Sequence, residues 1–171
     1  MAVKSLIETV TVGAGGAASI EFTDIPQDGS DLVLVWSVRT VDNITQSIMR
    51  LVLNGDTGSN YAWVRLWGTG STVSSSSGAA QTTILNGYAV GDDATANTFG
   101  NSSVYISNYS SSGTKSVSNE SVTENNASTA YQFLGAGSYS GGAVTSLLIR
   151  ENSSTNLAQY STASLYKIKY D

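Results

Sequence analysis

Strand-like segments recur along this chain at intervals of about 8–16 residues, and no stretch carries the 3.6-residue apolar period of a surface helix. Seventeen glycines interrupt most windows long enough for a helix. The segments are Leu6–Val12, Ala18–Phe22, Leu32–Val38, Ser47–Leu53, Tyr61–Trp67, a weak Thr82–Leu85, Ser103–Ser107, Lys115–Val122, Ala130–Gly135, Val144–Arg150 and Thr162–Tyr170. So many strands exceed what one sheet usually holds, so the expected fold is all-β: a two-sheet antiparallel β-sandwich. No repeat, linker or charge run divides residues 1–171, which therefore read as a single β-sandwich domain.

Local patterns refine this. The turn Gly13-Ala14-Gly15-Gly16 predicts that the first two segments pair as an N-terminal hairpin. Residues 1–12 read as an N-terminal arm or edge strand, able to exchange between subunits or dock on another protein. Leu32–Val38 is apolar on both faces at its start, as in a strand covered on both sides. Asn54-Gly55 predicts a tight turn with positive φ, and the loop around Pro26 interrupts pairing. Thr69–Ala80, with four consecutive serines, predicts a flexible surface loop, and Gly87–Asn97 predicts another loop.

Composition narrows the chemistry. The chain has no cysteine and no histidine, which removes thiolate nucleophiles, imidazole bases and the usual zinc ligands. Carboxylate pairs remain, but the acids are dispersed. Glu120 and Glu124 share at most a strand face and read as solvated surface acids. Gly91-Asp92-Asp93-Ala94-Thr95-Ala96-Asn97 gathers oxygen ligands without the spacing of a calcium loop, so turn acids are expected there. The glycine turn at 13–16 lacks the lysine of a phosphate loop. The reading is therefore not an enzyme, with no cofactor and no metal.

Charged residues make up only 12% of the chain, with net charge −5 and no basic run. Nucleic acid and membrane are accordingly not expected as partners. The N-terminus has no apolar core of a secretory signal. The six Asn-x-Ser/Thr triplets, at Asn43, Asn101, Asn108, Asn119, Asn126 and Asn152, then follow from composition. Tyr61, Trp63 and Trp67 share one strand face and form either a glycan or subunit contact or part of the core. Tyr88, Tyr109 and Tyr139 fall at or near predicted turns, where tyrosines can serve recognition.

Five segments carry a resemblance: Ser19-Ile20-Glu21-Phe22-Thr23-Asp24-Ile25-Pro26, Asp31–Val35, Leu53–Tyr61, Val104–Tyr109 and Ser161–Lys169. Together they resemble virion structural proteins of tailed bacteriophages, of the jelly-roll type found as capsid decoration proteins, head fibres and tail-fibre modules. The family's closing strand reads Leu-Tyr-Gly-Ile, and Lys167 stands here in place of that glycine. The resemblance implies a jelly-roll-like sandwich in the virion, acting as a capsid decoration or cement protein. Its implied partners are the major capsid protein or other virion proteins, and its implied state is a homo-oligomer such as a trimer. The alternative it implies is a receptor-binding or fibre module that recognises a host-surface glycan.

Overall fold

Leu32, Leu34, Trp36 and Val38 alternate with less buried residues along β3 (Asp31–Val38), and all four are buried. That alternation puts one face of a strand against a second layer. The computed structural model describes residues 1–124, 126 and 130–170, and within them it is an antiparallel β-sandwich. The other strands are β1 (Ala2–Thr11), β2 (Ser19–Phe22), β4 (Gln46–Leu53), β5 (Tyr61–Thr69), β6 (Thr72–Gln81), β7 (Ile84–Val90), β8 (Gly100–Ile106), β9 (Lys115–Glu124), β10 (Ala130–Tyr139), β11 (Leu147–Glu151) and β12 (Thr162–Tyr170). One sheet runs β1-β12-β3-β8-β9-β10-β5-β6, and the other runs β2-β11-β4-β7. Only the β5–β6, β8–β9 and β9–β10 connections stay within a sheet; every other connection crosses to the opposite layer.

The main core lies between the layers. Phe22, Leu34, Trp36, Leu51, Val104, Ile149 and Leu165 belong to one buried cluster. A smaller cluster of Leu85, Tyr88 and Phe133 draws in Ile48, Trp63 and Trp67. Ile48 pairs with Tyr88 and Arg50 with Leu85, so these side chains leave β4 and β7 on the face away from the main core. The β10–β5 end of the large sheet therefore curls around β7. Buried on both faces, β7 is buried at all seven of its positions.

Several expectations need correction. β1 and β2 do not form a hairpin: β1 pairs with β12 and β2 with β11, in different sheets. The glycine turn is real, closed by the Gly16 amide on the Gly13 carbonyl, but it carries the chain between layers. Residues 72–80 of the expected serine loop belong to β6, hydrogen-bonded along β5. Gly87–Val90 belongs to β7, where Gly87 holds φ +93 and breaks the alternation that would reveal a strand. β3 is not covered on both faces: Val35 on the outer face is exposed, and Val33 is flanked across the ladder by Tyr105 and Tyr166.

Other expectations hold. Asn54 and Gly55 take φ of 56° and 60°, and the Asp56 amide closes the turn on Leu53. This turn also crosses between sheets. Residues 2–11 are an edge strand. Lys167 reaches Asp28 at 2.6 Å and ties the last strand to the loop around Pro26.

Candidate functional site: the outer face of the eight-stranded sheet

Strand alternation settles the fate of the three aromatic candidates. Tyr61, Trp63 and Trp67 do share a face of β5, and that face points inward. Tyr61 is 2% exposed, stacks on Tyr139 at 4.8 Å and bonds the Leu53 backbone through its hydroxyl. Burial pushes its pKa further above the ordinary tyrosine value. Trp63 and Trp67 are half-buried against the second cluster and flank the Arg65 guanidinium, with Trp67 at 4.2 Å from it. They form no open stacking platform. Tyr109 does lie in a turn and Tyr139 ends β10, but both are buried, as is Tyr88 within β7, so none of the three is presented for recognition.

The acids also find places. Glu120 sits on the outer face of β9. Glu124 does more than face solvent: it accepts from the Thr95 and Asn126 amides and the Thr98 hydroxyl, which hold its carboxyl below the usual range. The Gly91–Asn97 loop is organised by buried Arg39, which donates to the Asp92, Ala94, Thr95 and Thr98 carbonyls and pairs with Asp92 at 3.4 Å. No group of three acidic residues is placed to share a cation among the described residues. The triplet Asn126-Ala127-Ser128 lies partly outside the described residues.

What the sequence did not mark is the opposite face of β5 and its neighbours. Inward Trp63, Arg65 and Trp67 leave Val64 and Leu66 outward, at 50% and 48% exposure. Leu134 of β10, opposite Leu66, is 56% exposed, and Val73 of β6 is 77% exposed. Val122 of β9 extends the patch. The ladder carries one row across the whole sheet: Ser77, Val64, Ala136, Ser118, Tyr105, Val33, Tyr166 and Leu6. The next row, Ser75, Leu66, Leu134, Glu120, Ser103, Val35 and Ser164, contains a single charge. The outward positions of β10, β5 and β6 contain none.

The relief of this face is shallow. Its depressions lie between neighbouring strands, for example one of about 270 Å³ lined by Tyr105, Ser118, Glu120 and Leu134. Such a face suits a broad protein contact, since interface cores are apolar and depleted of charge. Near one end, Asp31 accepts from the Tyr105 hydroxyl and the Asn108 amide and pins the outward aromatic ring. No protein-family model and no curated protein sequence matches this chain.

Proposed function

We propose that this chain is a non-catalytic structural protein of a phage particle, a decoration or cement protein that docks as a homo-oligomer through the outer face of its eight-stranded sheet. The observation that carries the reading is the exposed Val64, Leu66, Val73 and Leu134 on a face almost free of charge. Exposed apolar surface costs solubility unless a partner covers it. A continuous hydrogen-bonded ladder of eight strands supplies the stiffness that a surface clamp needs. The virion assignment itself rests on the sequence resemblance.

The test is co-sedimentation of the purified protein with capsids that lack it. Wild-type protein pellets with the shells, and Leu134→Glu or Val64→Glu remains in the supernatant. Both variants should keep the wild-type thermal midpoint, because exposed substitutions shift stability by only about 0.5 kcal/mol. Undiminished capsid binding by both variants would remove this face from the proposal.

A further inference from the structure

Three of the four arginines gather on the other side of the molecule. Arg50 on β4 stands directly opposite Arg150 on β11, and Arg65 reaches toward them from the curled end of the large sheet through Tyr88, the ladder partner of Ile48. Like charges placed directly across strands destabilise a sheet, so the arrangement needs a reason. None is in a direct ion pair: among the described residues the ion pairs are Arg39–Asp92 and Lys167–Asp28, and Glu151 acts on Arg50 only through space. This occurs in a chain with thirteen acids to choose from.

Each guanidinium is instead held by neutral acceptors. Arg65 donates to the Ser76 hydroxyl at 2.8 Å and the Tyr88 hydroxyl at 3.2 Å, between the rings of Trp63 and Trp67. Arg50 donates to the Asn152 side-chain oxygen at 2.7 Å, and Arg150 to the Glu151 and Asn152 carbonyls. A guanidinium has five N–H donors, so each keeps several for a ligand. Burial first, and then the charges of Arg150 and Arg65, disfavour the cation at Arg50 and outweigh the opposite pull of Glu151. An oxyanion there would relieve that repulsion and find preorganised donors.

We propose that Arg50, Arg65 and Arg150 form a binding site for an acidic saccharide, whose carboxylate or sulfate the arginines receive. The neighbours favour a sugar over an acidic peptide. Ser76 and Asn152 offer neutral hydroxyl and amide groups suited to sugar hydroxyls, beside half-buried Trp63 and Trp67. The site lies on the four-stranded side, away from the face proposed for docking, so a particle-bound copy would still present it.

The experiment is titration of the full chain with polygalacturonate oligosaccharides, neutral dextran, poly-glutamate and inorganic sulfate. The expected result is saturable polygalacturonate binding that weakens with salt, is competed by sulfate, and is at least tenfold stronger than binding of dextran or poly-glutamate. Arg50→Gln/Arg150→Gln should lower that affinity at least tenfold while leaving the thermal midpoint unchanged or raised, since a repulsive pair is removed. Equal binding of poly-glutamate, binding of sulfate alone, or wild-type affinity in the double variant would overturn the proposal. A lowered midpoint in the double variant would also count against it, because the arginines would then serve the fold. Capsid co-sedimentation is scored separately, so either proposal can fail alone.

Discussion

The hydroxyl of Tyr61 on β5 donates to the Leu53 carbonyl at 3.0 Å and accepts from the Leu53 amide at 3.1 Å, so the first residue of one sheet's strand closes the backbone at the end of a strand in the other. The ring stacks on Tyr139 inside the main core. Tyr61→Phe keeps the ring and removes the hydroxyl, leaving buried backbone groups without that partner. It should cost about 1–3 kcal/mol, read from the urea midpoint with an unchanged slope.

Gly87 and Ser121 form a second lock between the layers. The Ser121 hydroxyl accepts from the Tyr88 amide at 2.9 Å, and a β-carbon on Gly87 would lie 2.3 Å from that oxygen, at a φ of +93°. Gly87→Ala therefore meets both a steric and a backbone penalty, and should destabilise by at least about 1–3 kcal/mol. Ser121→Ala should cost a similar roughly 1–3 kcal/mol by stranding the amide. Thermal unfolding of the two single variants checks both.

These two locks show what could be read from sequence and what could not. Strands with one buried face and an alternating sequence, such as β8 and β9, are legible. β7 is buried on both faces and carries a glycine at positive φ, so its alternation vanished. β6 is mostly serine and other small residues; its strand form comes from pairing with β5, a tertiary effect that its own composition does not signal. The Tyr61, Trp63 and Trp67 stripe was legible as a shared face. Which way that face pointed depended on the curl of the sheet around β7. The exposed apolar face is hidden in the sequence for the same reason: Val64 and Leu66 are ordinary strand residues until their direction is known.

Arg39 anchors the Gly91–Asn97 loop by donating to four carbonyls. Arg39→Met keeps much of the side-chain volume and removes the donors. The expected loss is about 1.5–3 kcal/mol, with faster amide exchange concentrated in residues 91–98.

Acid should loosen the fold through carboxylates held ionised. Burial of Asp31 opposes its charge, but bonds from Tyr105, Asn108 and Tyr170 outweigh that and lower its pKa below 3.8. The amide of Asn126, with Thr98 and Thr95, lowers that of Glu124 below 4.5. Depressed folded values mean that this stabilisation is present above the unfolded values and is lost as pH falls through the folded ones. Stability from these groups should therefore stay level from neutral pH down to about pH 4.5 and then decline. In Asp31→Asn the decline should be shallower, as measured by urea unfolding across pH 2–7.

The proposed role is docking of the outer face of the large sheet on a phage shell. Cryo-electron microscopy of tailed-phage capsids incubated with the purified chain tests this most directly. The account predicts many copies on the capsid, with Val64, Leu66 and Leu134 turned against the shell. Particles without the chain, or copies whose outer sheet face stands free in solvent, would contradict it.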